Sequence, residues 1–522
     1  MHGFILSFFI ISFLLTSCSS PPKSPSSRQL RLAIAEDPMT LDPRKGGDSL
    51  SAHLQLMLFE GLVKLHSDGS VTPAQCSFYT LSSDQKTYTF HLGNTKWSDG
   101  TPVTSYDFEK AWKDILSPSF PAPNAHLLYS IKQAEAVKRG LIDISQVGIH
   151  APTPYILTVE LETPTPYFLQ LISFCVFAPT HTNTEEQKNL LISNGPFILT
   201  KWLHENEILL EKNPYHLEKE NIGLDFIHLS IVQDETTAVQ MYEKGEIDLI
   251  GSPFFTPSSE ALTYLPLKEL LVAPVAATTY ITFNTQTSPF SNKDLRQAFS
   301  LAIHREEIVQ YALDHKEKAA LSAIPPCLIG NDKKTFPLDN KKKEAKQLFN
   351  KALQELHLTS KELEDKITYL YSSSRSEQKL AQVLQEQWLS TLGIKIKIQS
   401  IERKVLLDSL SKKNYFFAQT TYRAQYFDPI SILERFEHKE NIKNYPSWEN
   451  LQYQNLLKES TSQSGLQRIA TLEKAETLLL EDMPLAPLLH LNLYYLKKPY
   501  LKNIELSPAG GIFFERLSLE IP

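Results

Sequence analysis

The chain has 522 residues, a length that predicts about three to four folding units of ordinary size. Its 59 Asp and Glu residues outnumber its 52 Lys and Arg residues, and the net charge of −7 offers no basic surface for nucleic acid. A content of 42% hydrophobic and 21% charged residues excludes a disordered protein, and the 32 prolines exclude a long helical solenoid, so we expect a large, loop-rich α/β protein.

The first predicted element is an uninterrupted apolar run at residues 4–15. It has about a dozen residues, whereas a membrane-crossing helix needs about 20, so the run predicts a signal peptide over residues 1–17. The sequence Leu15-Thr16-Ser17-Cys18 that follows resembles the lipobox of bacterial lipoproteins, which implies cleavage before Cys18 and acylation of Cys18. The alternative is an unlipidated secretory signal in which Cys18 has no role. Residues 18–27 are a Pro/Ser tether that is too polar to fold.

Predicted strands and helices alternate through the rest of the chain. Apolar residues at every second position predict strands near residues 88–92, 155–161, 225–232 and 394–398. Apolar residues at intervals of three and four predict helices near residues 104–115, 234–244, 292–312 and 376–392. The last of these helices ends at Gly393 between two predicted strands, an order that fits a right-handed parallel βαβ unit. The polar stretch at residues 330–343 is predicted to be a surface loop.

Motifs that carry catalysis are absent from this sequence. It has no G-x-S-x-G elbow, no P-loop, no G-x-G-x-x-G and no H-E-x-x-H. The nearest approach to a metal-ligand cluster is His204-Glu205-x-Glu207, for which the surface of a hairpin is the favoured interpretation. We therefore predict no catalytic residue, no metal site and no cofactor, and a binding protein rather than an enzyme.

Three cysteines remain if Cys18 is acylated, namely Cys76, Cys175 and Cys327. They lack the paired C-x-x-C spacing of a structural zinc site. One disulfide with a leftover thiol and three buried thiols are both compatible with their spacing. We interpret them as structural.

Short motifs follow one another in a fixed order over almost the whole predicted mature chain. They are Phe59-Glu60-Gly61-Leu62, Lys96-Trp97-Ser98-Asp99-Gly100-Thr101-Pro102, Ser193-Asn194-Gly195-Pro196-Phe197, Lys212-Asn213-Pro214-Tyr215, Gly245-Glu246-Ile247-Asp248, Arg296-Gln297-Ala298-Phe299 and Met483-Pro484-Leu485-Ala486-Pro487. This ordered series resembles the extracytoplasmic oligopeptide-binding lipoproteins of the peptide/nickel ABC-importer solute-binding family (family 5, cluster C). The lipobox agrees, because such receptors work outside the cytoplasmic membrane.

The resemblance implies an α/β, two-lobed periplasmic-binding-protein fold of type II with mixed sheets, an extra inserted α/β domain and a two-segment hinge. By analogy, lobe I comprises residues 28–59, 186–277 and 493–522, the extra domain residues 60–185, and lobe II residues 278–492. Such a monomeric receptor encloses an oligopeptide through main-chain hydrogen bonds and delivers it to an ABC permease. Its lipid anchor at Cys18 holds it at a bacterial membrane, with the body in the periplasm.

Two groups of alternatives stay open at this point. The first alternative is a receptor of the same fold whose ligand is a cell-wall peptide, a nickel chelate, haem or an oligosaccharide. The second alternative is a protein of another functional class, an envelope lipoprotein with an enzymatic or chaperone role.

The resemblance also implies ligand-binding positions. In peptide-binding members, an Asp before an acidic-Pro pair receives the α-ammonium of the peptide, and the matching residue here is the neutral Gln425. A second acidic position of the family corresponds to Gly47, with Asp48 adjacent. Either Asp428 or Asp48 supplies the counter-ion instead, or the ligand lacks a simple α-ammonium. The further predicted ligand-binding residues are Tyr422, Arg423, Ala424, Tyr426, Tyr129 and Tyr280.

Overall fold

The computed structural model describes residues 28–183, 191–252, 254–255, 270–312, 317–330, 339–507 and 510–520. The predicted signal peptide, the tether and Cys18 lie outside these residues, as does most of the polar stretch that begins at Gly330. Among the described helices, none combines the length and the apolar character that crossing a bilayer would require.

The strands are, in chain order, β1 (Gln29–Ile34), β2 (Val63–Leu65), β3 (Val71–Pro73), β4 (Cys76–Leu81), β5 (Thr87–Leu92), β6 (Ile149–Thr153), β7 (Ile156–Glu160), β8 (Phe197–Leu203), β9 (Glu207–Lys212), β10 (Phe226–Ile231), β11 (Leu249–Gly251), β12 (Leu270–Phe283), β13 (Lys318–Ala319), β14 (Thr368–Ser372), β15 (Lys397–Ile401), β16 (Phe417–Arg423), β17 (Leu485–Lys497), β18 (Leu501–Lys502) and β19 (Ser518–Leu519). The α-helices are α1 (Ser49–Leu58), α2 (Ser105–Leu116), α3 (Ala134–Lys138), α4 (Phe168–Ile172), α5 (Glu235–Lys244), α6 (Lys293–Leu301), α7 (Arg305–Ala312), α8 (Lys342–Leu356), α9 (Ser360–Lys366), α10 (Arg375–Leu392), α11 (Arg403–Ser411), α12 (Ile430–Leu433), α13 (Leu451–Ser460) and α14 (Gly465–Asp482).

One large mixed sheet organises the fold. Its strand order is β15-β14-β16-β12-β17-β11-β1-β10-β9-β8, and β13 also pairs with β17. Parallel pairs (β1 with β10, and β14 with β15 and β16) occur beside antiparallel ones. The predicted mixed α/β class is therefore confirmed.

The long antiparallel strands β12 and β17 form the middle of this sheet. Their pairing extends from Leu270 opposite Leu496 to Thr282 opposite Leu485, with register shifts after Pro274. One end of the pair adjoins β11, and the other end adjoins β16. In the described residues, these two strands thus connect the two halves of the sheet.

A separate antiparallel sheet has the order β4-β5-β7-β6. Helix α2 packs on it and buries Phe108, Trp112 and Ile115. The helix predicted near residues 104–115 begins with a capping box, in which the Thr104 N–H and hydroxyl both donate to the Asp107 carboxylate.

The predicted βαβ unit is also confirmed. Strands β14 and β15 are parallel, helix α10 connects them, and Gly393 ends that helix in the left-handed conformation at φ 76°. The helix predicted over residues 292–312 is wrong in its continuity: it is two helices, α6 and α7. After the break at residues 302–304, the Arg305 N–H donates to the Asp339 carboxylate, a long-range contact that a local pattern does not encode.

The described cysteines Cys76, Cys175 and Cys327 are free thiols. Cys76 and Cys175 are buried, and burial raises the pKa of Cys175 to about 12, so its thiol stays protonated. The His204 segment forms the turn between β8 and β9, as the hairpin interpretation predicted.

Candidate ligand-binding site

A cavity of about 280 Å³ opens beside helix α1. Its wall is formed by residues within the segments 46–65, 170–175, 424–427 and 511–515, together with Asn124, Pro196, His216 and Ser507. The segments come from opposite ends of the sequence and from both sides of the β12–β17 pair. The cavity is therefore placed where residues distant in sequence converge, as ligand sites commonly are.

Asp48 begins helix α1 at the cavity wall. Its Oδ1 accepts the Ser51 N–H at 2.8 Å and caps the helix. The other carboxylate oxygen, Oδ2, is buried and accepts no hydrogen bond from the residues that the structure describes. A buried carboxylate oxygen without a donor is costly, so this position is ready to receive a donor or cation.

Two glycines, Gly46 and Gly47, precede Asp48 in a tightly packed loop. A Cβ atom on Gly46 would lie 2.7 Å from the Gln55 side-chain oxygen, closer than real Cβ atoms approach. The Gly46 carbonyl accepts the Asn124 side-chain N–H at 2.8 Å. Gly47 lines the cavity beside Asp48.

Gln425 lies at the same cavity, on the opposite segment. Its Oε1 is 3.2 Å from Nε2 of His126, and its Nε2 is 3.5 Å from Oδ1 of Asn124. Burial lowers the pKa of His126, and the charge of Lys443 acts in the same direction. Since Asn124 also holds Gly46, a chain of polar contacts joins Gln425 to the loop that carries Asp48.

The rest of the segment after β16 completes this wall. Ala424 donates its N–H to the Ala276 carbonyl at 2.8 Å, which fixes the segment to β12. Tyr426 donates its hydroxyl to Glu434 at 2.9 Å and stacks on Tyr167 at a centroid distance of 5.1 Å. Phe427 lines the cavity as well.

Asp428 is absent from the cavity-lining residues that the structure describes. Its two carboxylate oxygens accept bonds from Arg468 at 2.6 and 2.8 Å, and both side chains are buried. A carboxylate already engaged by a guanidinium has little to offer a ligand ammonium. The geometry therefore does not support the counter-ion role predicted for Asp428 and leaves Asp48 as the acidic candidate.

Three predicted aromatic residues lie away from the cavity wall. Tyr280 is fully buried and donates to the Ala323 carbonyl. Tyr422 packs against Tyr280 and donates to the Lys443 carbonyl at 3.1 Å. Tyr129 is half-buried against the core. The ligand contacts predicted for these tyrosines are thus not supported by their positions, because their side chains serve packing.

Arg423 lies near the cavity without lining it. Its side chain is exposed, and it is close enough to His53 for its charge to add to burial in lowering the pKa of that imidazole. His53 itself lines the cavity from helix α1.

Sequence reasoning missed several wall residues, among them His53, Phe427, Glu60, His216 and Glu515. Helical spacing offered a signal for some of them. Ser49, Ala52, His53 and Leu56 recur at intervals of three and four and share one face of α1, whereas Glu60 lies beyond the end of the helix. Nothing local marked that face as a cavity wall, because the opposing segments lie far away in the sequence.

Comparison with known proteins gives the family. The model of the bacterial extracellular solute-binding proteins, family 5 middle region, matches residues 70–444. The oligopeptide-binding protein OppA of Bacillus subtilis is 32% identical over 498 residues, which cover 93% of this chain and 91% of that protein. The dipeptide-binding protein DppE of the same organism is 30% identical over 528 residues, covering 96% of each chain.

Solved structures agree on the fold. The murein tripeptide-binding protein MppA of Escherichia coli superposes with a TM-score of 0.80 at 26% identity, covering 95% of this chain and 99% of that one. OppA of Listeria monocytogenes bound to peptide superposes with a TM-score of 0.75 at 26% identity, covering 95% of this chain and 99% of that one. The predicted resemblance is confirmed, and with it the prediction of an extracytoplasmic binding protein rather than an enzyme. Because the family model spans well over half of its length, the chain belongs to the bacterial extracellular solute-binding proteins of family 5.

Proposed function

We propose that this chain captures oligopeptides in the cavity beside helix α1 and delivers them to an ABC import permease. The observation that carries the proposal is the buried Oδ2 of Asp48 at the cavity wall, which has no hydrogen-bond partner in the described part of the chain. A peptide α-ammonium supplies the missing donor and the missing positive charge. The relatives named as peptide-binding proteins, at about 30% identity over nearly the full chain, support the same ligand class.

Asp48 and Gln425 both bind the peptide amino terminus, the first through a charged hydrogen bond and the second through a neutral one. Hydrogen bonds to charged groups contribute about 1.5–3 kcal/mol, whereas neutral ones contribute about 0.5–1.5 kcal/mol. Asp48 provides the charged partner, and the Gln425 carboxamide, held by His126 and Asn124, provides a neutral one. Closure of the two halves of the sheet about β12 and β17 encloses the bound peptide.

The test compares a tripeptide carrying a free amino terminus with its acetylated twin, by calorimetry on the purified protein. We expect Asp48→Asn to weaken binding of the free-amine peptide about tenfold and to leave the acetylated peptide almost unaffected. Asn caps helices as well as Asp does, so the variant should fold. Asp234→Asn, which changes the matching cap of helix α5 away from the cavity, is the control.

Equal losses for the two peptides would contradict the role of Asp48. Binding of neither peptide by the wild-type protein would contradict the proposed function itself.

The remaining parts of the proposal concern the whole receptor. It is a monomer anchored through acylated Cys18 and divided into lobe I (28–59, 186–277, 493–522), an extra domain (60–185) and lobe II (278–492). The register shifts of β12 after Pro274 support a hinge near the boundary at residues 277 and 278.

A second candidate is a receptor for a blocked or cell-wall-derived peptide. It is favoured by the neutral Gln425, which offers no charge to an α-ammonium. Native mass spectrometry of the purified protein separates the candidates, because it identifies the molecule that the protein retains.

A further inference from the structure

A second group of polar side chains lines the same cavity, beyond the other end of helix α1. It consists of Glu60, His216 and Glu515, and we refer to it as the acidic end. None of the three has a Lys or Arg nitrogen within 4.0 Å among the described residues. The basic side chains nearby are engaged elsewhere, Lys64 with Glu218 at 2.5 Å and Arg516 with Glu505. Burial raises the pKa of Glu515, whereas the charges of Arg516 and of Lys64, which lines the same cavity, act to lower it. The acidic end therefore holds two carboxyl groups without a directly bonded Lys or Arg.

Glu60 is held firmly in place. Its N–H donates to the Asn194 side chain at 3.2 Å, and its carbonyl accepts from the same side chain at 2.9 Å. One carboxylate oxygen, Oε2, accepts the Gln75 amide at 2.6 Å. The other oxygen, Oε1, lies 3.7 Å from His216 Nε2, too far for a hydrogen bond. This oxygen is free to accept from a further donor.

The side chain of His216 is buried at the acidic end, and its Nε2 faces Glu60. Only 4% of its side chain is exposed. Its Nδ1 accepts the Glu218 N–H at 3.2 Å, which turns the opposite nitrogen, Nε2, toward Glu60. That nitrogen is buried, and no described residue forms a hydrogen bond with it. A hydrated ammonium group would meet both needs, because it donates to the carboxylates while its water accepts from Nε2.

The inference rests on the proposed function and refines it: we propose that the acidic end is a subsite for a positively charged side chain of the bound peptide. The preferred ligands are then peptides with a lysine or another basic residue at a fixed distance from the amino terminus. Glu60 and Glu515 bind the cation directly, and His216 positions its water.

The length of helix α1 sets that distance. Asp48 precedes the helix and Glu60 follows it, and ten residues at about 1.5 Å each separate the two ends by about 15 Å. An extended peptide advances about 3.4 Å per residue, and a lysine side chain extends about 6 Å further. A basic residue at the third or fourth position therefore reaches the acidic end when Asp48 holds the amino terminus.

The experiment uses free-amine tetrapeptides of alanine with lysine or norleucine at position three or four. Norleucine keeps the straight methylene chain and lacks the ammonium group. For the wild-type protein we expect the lysine peptide to bind about tenfold more tightly than the norleucine peptide at one of these positions. In Glu515→Gln and in Glu60→Gln the preference should fall to about threefold or less, with norleucine binding unchanged.

The control variant is Glu220→Gln, which removes an exposed glutamate outside the cavity wall and should keep the tenfold preference. Each result is a ratio of two peptides on one protein, so a modest loss of folded material does not distort it. Equal binding of lysine and norleucine peptides would overturn the inference and leave the proposed function standing. Failure of every tetrapeptide to bind would overturn both.

Discussion

At the residue scale, Gln425 can be converted into the acidic group that its position carries in peptide-binding relatives. It lies between His126 and Asn124 at the cavity wall, where a carboxylate would face an incoming ammonium. We expect Gln425→Asp to tighten binding of a free-amine tripeptide about tenfold and to change binding of the acetylated twin very little. Calorimetry with both peptides measures the difference.

Gln425→Asn is the matched control for this change. It shortens the side chain by the same methylene group but adds no charge. A gain in affinity for both peptides, or the same gain in Gln425→Asn, would contradict an electrostatic role for this position.

Single residues also show how far sequence reasoning reaches into the site. The motif resemblance selected the segment around Gln425 and the loop with Gly47 and Asp48, and the structure brings both to one cavity. It did not distinguish neighbouring side chains within the segment. Asp428 turns to Arg468, and Tyr422 turns into the core. Those directions depend on partners 21 residues away for Tyr422 and Lys443 and 40 residues away for Asp428 and Arg468, which a local pattern does not reveal.

At the element scale, the short helix α12 and the turn after it place Glu434 under Tyr426. Burial raises the pKa of Glu434 to about 7, from an ordinary value near 4.5. Between these two values the unfolded chain releases the proton while the folded protein keeps it. The free energy of unfolding therefore decreases as the pH rises from 4.5 to 7 and levels off above 7.

We expect Glu434→Gln to remove this part of the pH dependence. The variant should be more stable than wild type by about 3 kcal/mol at pH 8 and nearly equal to it at pH 4.5, because glutamine still accepts the Tyr426 hydroxyl. Urea unfolding of the variant and of the wild type at both pH values measures the difference in their free energies of unfolding. Glu386→Gln, an exposed change on helix α10, serves as the control. A constant difference across the pH range would contradict the assignment to Glu434.

Elements with strong local signals were predicted closely, and those fixed by distant contacts were not. The cap at Thr104 and the end of α10 at Gly393 depend on neighbouring residues only. The predicted strand at residues 394–398 is buried at Ile394 and Ile396, yet strand β15 begins at Lys397, where pairing with β14 starts. The local apolar pattern determines which side chains are buried, whereas pairing with the neighbouring strand determines where the strand begins.

At the scale of the whole molecule, a contact joins the region of helix α4 to residues 424–427, which form part of the cavity wall. The Tyr167 ring stacks on Tyr426 with an interplanar angle of 8°, and the Arg468 guanidinium lies 5.5 Å from the centre of the same ring. Tyr167 does not line the cavity, but Tyr426 does. The contact therefore joins the two sides of the cavity at its wall, and only Tyr426 of the pair faces the interior.

We expect such a contact to stabilise the enclosed form of the proposed receptor and to act on ligand release. An aromatic pair contributes about 0.5–1.5 kcal/mol and a cation–π pair about 0.5–1 kcal/mol, so Tyr167→Ala should favour opening by up to about 2 kcal/mol. We expect peptide dissociation to become about tenfold faster while association changes little, which stopped-flow fluorescence measures. Tyr167→Phe keeps the ring and should behave nearly as wild type. An unchanged dissociation rate in Tyr167→Ala would mean that other contacts hold the two sides of the cavity together, such as those of Gln425 with His126 and Asn124 or the pairing of β12 with β17.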